Sequence, residues 1–385
     1  MYVRALHRRL AGAKANLLVL GPRQVGKSTL LNGLNPDLTI QLASPQTFRD
    51  YVSRPERLEA ELRAAPDRVH TVLIDEVQRV PSLLDALQVV IDERPRRFRF
   101  LLSGSSARKL KRGHANLLPG RIHVHSLHPL LASEIGDDFQ LERALAHGTL
   151  PGIYSESDPS DRAQTLRGYV DVYLREEIQA EALVRNLGGF SLLLDLVAAS
   201  SGRILNMSSL SRESGIRFET IRRYFEILED TLLLHRVPAW SHSERKASIA
   251  HPKLYLFDLG VRNALLRRPL DRCLDDERGL LLEHFVAQEL LARVGTLWPE
   301  LAVFHYRTKG GAEVDFVLEV GRELWAVEVK ASRNVSREDL SGIASLAERT
   351  RRLKRKIVVF LGPRRQKLED VEVLPLKEFL ESLPS

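Results

Sequence analysis

Hydrophobic positions in the first third of the chain fall in short, almost continuous runs parted by polar or glycine-bearing stretches. Asn16–Leu20, Leu38–Leu42, Val72–Ile74, Phe98–Leu102 and Ile122–Leu127 each read as a strand, the third of them buried. Helical spacing or composition begins near Gly26 and recurs over Glu56–Ala65 and Ser82–Ile91. Strands alternating with helices predict a largely parallel sheet flanked by helices. From Ala132 to about Ser200 the rhythm becomes helical, with Tyr169, Tyr173 and Ile178 near helical spacing inside Arg167–Ala182, and with breaks at Pro151-Gly152 and Asp158-Pro159-Ser160. This stretch reads as a helical lid.

Between Asn206 and Leu234 the pattern changes again. A short helix over Ser208–Ser214, a turn at Gly215-Ile216-Arg217 and a helix over Glu219–Glu229 predict a helix-turn-helix, whose second helix presents Arg222 and Arg223 with Arg217 and Thr220 nearby. After Pro252 strands and helices mix: a helix over Gly279–Val294, strands at Val314–Glu319 and Leu324–Val329, a helix over Arg337–Arg349 and a strand at Ile357–Leu361. The expected division is residues 1–131 as an α/β nucleotide-binding core, 132–200 as the lid, 201–262 as a winged-helix or helix-turn-helix unit, and 263–385 as a further α/β unit.

The loop after the first strand holds the strongest chemical signal. Gly21, Pro22, Arg23, Gln24, Val25, Gly26, Lys27 and Ser28 match G-x-x-x-x-G-K-[ST] in full, between a strand and a helix, with Thr29 next in line. Glycines let backbone N–H groups curl around phosphates, the ammonium reaches the β and γ phosphates, and the serine hydroxyl completes a magnesium shell at a helix N-terminus. The third strand ends in Asp75-Glu76, so Asp75 is the expected magnesium partner and Glu76 the carboxylate that polarises the attacking water. Ser103, after the fourth strand, is the candidate sensor of the γ phosphate, and Arg121 is the candidate arginine finger reaching a neighbouring subunit. ATP and Mg2+ are the cofactors these residues call for.

A second set of acids lies far downstream. Strand alternation puts Glu328 and Lys330 on one face, and a hairpin would bring Asp315 alongside, with Glu283 upstream on a helix. Asp315 and Glu328 are the candidate ligands of a second magnesium, and Lys330 is a companion that orients water without binding the metal.

Composition narrows the class. With 44% hydrophobic and 28% charged residues the 385-residue chain is globular and long enough for several domains. Cys273 is the only cysteine, which leaves no intrachain disulfide and no cysteine-based zinc site and suits the cytoplasm. No apolar run has the length of a membrane span, and no secretory leader is expected. The net charge of +7 is unevenly spread: Arg94–His125 contains nine Lys or Arg and no acid. A second basic cluster occupies Arg349, Arg351, Arg352, Lys354, Arg355 and Lys356.

The P-loop, Val72–Gln78, Leu102–Ser105, Leu118–Arg121, Tyr169–Ile178, Asn206–Leu234 and Pro252–Asp258 together resemble the AAA+ superfamily, and within it the bacterial and archaeal AAA-type ATPases with a C-terminal DUF4143 domain. Ser103 stands where that superfamily usually has Asn or Thr. The acids near the C-terminus resemble the core of the PD-(D/E)XK nucleases, a restriction-endonuclease-like fold, with Val314 in place of the usual proline; the resemblance implies Glu283 as the helix acid and third candidate ligand, in a site that cuts or in a fold kept as a DNA-docking or assembly platform. The AAA+ resemblance implies a homo-oligomeric ring, commonly a hexamer. The ATP site, the basic runs, the helix-turn-helix and the nuclease-like acids together point to duplex or branched DNA as the partner, and to ATP-driven DNA remodelling of helicase or branch-migration type. Alternatives are an ATP-gated DNA-binding regulator with a silent nuclease-like domain and an ATP-licensed nuclease.

Overall fold

The protein is described from a computed structural model covering residues 2–105, 118–174, 187–241 and 251–384. Within them the chain separates into two compact units, residues 2–128 with 226–233, and the remainder.

In the first unit α1 (Ala5–Ala11), β1 (Asn16–Leu20), α2 (Lys27–Asn32), β2 (Leu38–Gln41), α3 (Pro45–Ser53), α4 (Arg57–Arg63), β3 (Thr71–Asp75), α5 (Leu83–Glu93), β4 (Arg99–Gly104) and β5 (Ile122–Ser126) follow one another. The strands form one parallel sheet in the order β2-β3-β4-β1-β5. β1, β3 and β4 are buried along nearly their whole length, the consequence of helices covering both faces. Leu18, Leu20, Val72, Ile74, Phe100 and Leu102 pack there with Leu58, Leu62, Leu83 and Leu87. Each such leucine contributes roughly 2 kcal/mol by leaving water. Because β4 lies between β1 and β3, the carboxyl ends of these three strands share one rim, where the P-loop, Asp75 and Ser103 sit. The strand runs expected from the sequence match these strands. The helices α1 and α3 were not expected.

The second unit begins with α6 (Ala132–Ile135), α7 (Leu141–His147), α8 (Pro151–Ser155) and α9 (Pro159–Gly168), which continues as a π-helical turn over Tyr169–Leu174. Then come α10 (Leu187–Ser200), α11 (Met207–Ser214), α12 (Phe218–Asp230), whose residues from Glu226 on are counted with the first unit, and the antiparallel pair β6 (Leu234–Val237) and β7 (Lys253–Leu256). Next, α13 (Leu259–Leu265) and α14 (Arg278–Leu291) lead into β8 (Leu301–Arg307), β9 (Glu313–Val320) and β10 (Glu323–Lys330). Finally, α15 (Ser341–Arg349), β11 (Leu353–Phe360), β12 (Gln366–Leu368), β13 (Val371–Pro375) and α16 (Leu376–Glu381) close the chain segment. A mixed sheet runs β12-β13-β11-β10-β9-β8, with β9 antiparallel to β10 and β10 parallel to β11.

The segment expected as a lid is helical, and within the second unit its α7 and α9 pack on α13 and its α7 also on α14. Asn263 on α13 donates to the carbonyls of Leu145 and Ala146 at 2.9 and 3.0 Å, and Glu289 on α14 accepts from the Ala132 amide at 2.7 Å. Asp258 caps α13 by accepting from Val261 N at 3.1 Å and also accepts from Thr149 N at 2.9 Å; burial raises its pKa to about 6. Gly148 has φ +71°, and a Cβ there would lie 2.1 Å from Asp258 Oδ1, so glycine is required for this approach. Ile178 and the side chain of Tyr173 lie outside the described residues.

Candidate functional site

The P-loop runs from the end of β1 to the start of α2. Gly26 caps α2 with φ 94°, and Gln24 has φ 64°, so the chain turns twice through the left-handed region to enter the helix. Gly21 approaches the backbone of Leu127 so closely that a Cβ would fall 2.3 Å from the Leu127 carbonyl oxygen. Arg4 braces the loop from outside: its guanidinium donates to the Val25 carbonyl and to the His128 carbonyl, both at 2.6 Å. Lys27 is buried, and Nζ donates to the carbonyls of Gly21 at 2.8 Å and Pro22 at 2.9 Å. Pro22 and Val25 are buried, Arg23 half-buried, and Thr29 exposed on α2.

Ser28 Oγ donates to Asp75 Oδ1 at 3.0 Å, so the two groups expected to serve magnesium already meet. Ser103, fully buried, donates to the same Asp75 oxygen and accepts from Glu76 N at 2.9 Å. Its single hydroxyl proton is therefore spent on Asp75, which makes Ser103 a support of the acidic pair. Glu76 has φ 61° and ψ 43°, a left-handed conformation that turns the chain off the strand end. Gln78 donates to Glu76 Oε2 at 2.5 Å and to Ser105 Oγ at 3.0 Å. Neither Arg4 nor Gln78 was singled out from the sequence. Gln78 had a weak signal, a buried amide two residues beyond the acids, whereas Arg4 had none, being 21 positions from Val25.

An ammonium, a hydroxyl and a carboxylate on one rim fit Mg-triphosphate, with Lys27 toward the phosphates and Ser28 and Asp75 toward the metal. Bound nucleotide would supply the phosphoanhydride whose cleavage releases energy.

Arg121 lies at the opposite edge of the sheet, beside the start of β5. Its guanidinium is held in a bidentate pair by Asp92, at 2.7 and 3.0 Å, and Arg121 in turn holds the Asp92 carboxyl below its usual range. Other members of the first basic run also have structural work: Arg97 donates to Val69 O at 2.5 Å and lies over the Phe98 ring, and Arg99 donates to Leu10 O at 2.6 Å. Arg108, Lys109, Lys111 and Arg112 lie outside the described residues. In the second cluster Arg352 pairs with Glu319, Arg355 with Glu372 at 3.0 Å and Lys356 with Asp370.

The helix-turn-helix is formed by α11 and α12. Asn206 caps α11 by accepting from Ser208 N at 2.9 Å, and Gly215, at φ 68°, makes the turn. Phe190 on α10 meets Tyr224 on α12 edge to face at 4.9 Å, which fixes the buried side of the helix. Arg217, Arg222 and Arg223 lie on the exposed side. The three helices α10, α11 and α12 precede the antiparallel pair β6 and β7.

The third group of candidates converges inside the second unit. Val329 N donates to Asp315 Oδ2 at 2.9 Å, Asp315 N donates to Glu328 Oε2 at 3.3 Å, and Lys330 Nζ reaches Glu328 Oε1 at 2.9 Å. Glu283 does not complete a metal centre with them. Instead Lys253, which the sequence placed in the run Pro252–Asp258 but not among the acids, inserts its ammonium between Glu283 (2.9 Å), Glu313 (2.8 Å) and Asp315 (3.3 Å). Tyr255 donates to Glu283 Oε1 at 2.6 Å. Burial and the Asp315 charge push the pKa values of Glu283 and Glu328 upward, against the pull of Lys253 on the first and Lys330 on the second. Burial alone would lower Lys253, but the surrounding carboxylates outweigh it and raise its pKa. Among the described residues no group of three or more His, Cys, Asp or Glu is arranged to hold a metal ion. Of the expected set, Glu283 and Asp315 are thus engaged by the Lys253 ammonium and Glu328 by Lys330.

Residues 13–136 match the family described as an AAA domain, 138–272 a domain of unknown function, DUF8612, and 278–379 a domain of unknown function, DUF4143. The chain is 27% identical over 379 residues to the uncharacterized protein Rv2008c of Mycobacterium tuberculosis and, equally, to Mb2031c of Mycobacterium bovis, covering 96% of this chain and 80% of each relative. Among solved structures, RuvB of Thermotoga maritima aligns with 60% of this chain and 87% of its own at TM-score 0.30 and 17% identity. Protein VC1899 of Vibrio cholerae aligns with 95% of both chains at TM-score 0.22 and 13% identity. The Pif1 helicase of Candida albicans aligns with 44% of this chain and 48% of its own, about half its length, at TM-score 0.26 and 13% identity.

Proposed function

Because this chain joins an AAA domain to a DUF4143 domain, we propose that it is a magnesium-dependent ATPase that couples hydrolysis to the binding and remodelling of duplex or branched DNA, working as a homo-oligomeric ring. The observation that carries the ATPase is the rim on which buried Lys27 and Asp75 stand with Ser28 and Glu76: Ser28 and Ser103 both donate to Asp75, and Ser103 accepts from Glu76 N. Lys27 neutralises phosphate charge, Asp75 and Ser28 take the metal, and Glu76, leaning on Gln78, accepts the proton of the attacking water. DNA as the partner is supported by the exposed Arg217, Arg222 and Arg223 on a helix-turn-helix followed by a hairpin. No helix among the described residues is long and apolar enough to cross a membrane.

The test is the ATPase rate of the full chain with and without linear, forked and four-way DNA, alongside strand displacement, for wild type, Lys27→Ala and Glu76→Gln. DNA-stimulated hydrolysis with strand movement supports the proposal; hydrolysis indifferent to DNA, with no strand movement, defeats the motor. A second reading, an ATP-gated DNA-binding regulator, is favoured by the Lys253 ammonium seated among Glu283, Glu313 and Asp315, which engages two of the acids a cutting site would use. Slow turnover with tight binding to one duplex sequence would select it.

A further inference from the structure

Lys253 opens β7, the second strand of the hairpin that follows the helix-turn-helix, and it is 3% exposed. An ammonium has three N–H donors, and here three carboxylate oxygens, from Glu283, Glu313 and Asp315, lie within 3.3 Å of it. Tyr255, two residues along and so on the same face of β7, spends its hydroxyl on the Glu283 oxygen that Lys253 also uses. The acids come from α14 and β9, and the cation comes from the hairpin. The same hairpin segment is tied to the edge strand β8 through the backbone: Trp240 N donates to His305 O at 2.6 Å, and His305 N donates to Pro238 O at 2.9 Å. The His305 ring also bonds His251 O at 3.1 Å.

We infer that Lys253 is the resident cation of this cage, standing where a nuclease-like fold would hold a divalent metal, so that the acids fasten the hairpin of the helix-turn-helix unit to the C-terminal sheet instead of serving phosphodiester cleavage. The inference is independent of whether the chain hydrolyses ATP on DNA, and its readouts involve neither. A buried cation and its carboxylates stabilise one another only as a set; deleting the cation leaves uncompensated charge in a closed space. It also leaves carboxylates facing a gap, which is the geometry a hard divalent ion seeks.

The experiment uses the nucleotide-free full chain and Mn2+ as the probe, read by electron paramagnetic resonance and by thermal melting. Wild type should show no Mn2+ binding that Asp315→Asn removes. Lys253→Ala should melt lower by roughly 10 °C. Mn2+ at about 1 mM should restore a large part of that loss, since it binds only the folded state. Adding Asp315→Asn to Lys253→Ala should abolish the recovery. Stoichiometric Mn2+ binding by wild type that depends on Asp315, or Lys253→Ala whose melting ignores Mn2+, overturns the inference. Should Lys253→Ala fail to fold, the wild-type arm decides alone: no Asp315-dependent Mn2+ signal supports it, and such a signal overturns it.

Discussion

Lys27 rests on two neutral carbonyl oxygens, those of Gly21 and Pro22, which phosphate oxygens displace readily because charge-assisted hydrogen bonds are about twice as strong as neutral ones. Lys27→Ala should therefore lose ATP affinity in isothermal titration while keeping its fold. Glu76→Gln should keep ATP binding and lose turnover by about 100- to 10,000-fold, the usual contribution of a positioned base, in a steady-state phosphate-release assay. Ser103→Ala strands the Glu76 amide and removes a donor from Asp75, a cost of about 1–3 kcal/mol in urea unfolding together with a reduced kcat. His284 gives a pH prediction. It is fully buried, bonded to Leu256 O at 2.7 Å, and burial lowers its pKa from 6.5 to about 3. The folded chain keeps this ring neutral while the unfolded chain protonates it. Its contribution is thus complete above pH 6.5 and is lost as pH falls from there toward about 3. Unfolding midpoints of His284→Gln, compared with wild type across that range, should lack this part of the acid slope.

Elements set the next scale, and α12 is the one on which DNA binding would depend. Its buried side is committed to Phe190 through Tyr224, leaving Arg222 and Arg223 outward. Replacing either with Ala should weaken binding evenly across sequences and flatten the plot of log affinity against log salt by about one unit for each phosphate no longer neutralised. Anisotropy titrations at several salt concentrations measure this, and an unchanged slope would remove α12 from the interface. The neighbouring α11 depends on Asn206 as its cap, so Asn206→Ala should cost about 1 kcal/mol without touching the arginines. Arg121, by contrast, is occupied by Asp92, and Arg121→Ala should leave ATPase turnover unaltered, whereas a finger would be worth orders of magnitude.

At the scale of the molecule, the chain combines one parallel sheet built for phosphate chemistry with a second unit in which helices, helix-turn-helix, hairpin and mixed sheet pack together. The order of elements was legible because each kind of packing imposes its own spacing: runs for doubly covered strands, alternation for β9 and β10, amphipathic repeats for α12. The edge strands β8 and β12 and the interior strand β13 were missed; β12, with three residues, carries too few positions from which to read a period.

Local sequence was enough for the nucleotide site, because a P-loop is a continuous turn whose glycines, lysine and serine act within a single stretch of chain, and the acids at the end of β3 follow a visible apolar run. It could not disclose Arg4 behind the loop, Asp92 holding Arg121, or Lys253 filling the carboxylate cage. Those pairings join positions 21, 29 and 62 residues apart, and only the folded chain decides which charge is brought against which. A period along a strand says which face a side chain takes, but the partner waiting on that face comes from elsewhere in the fold.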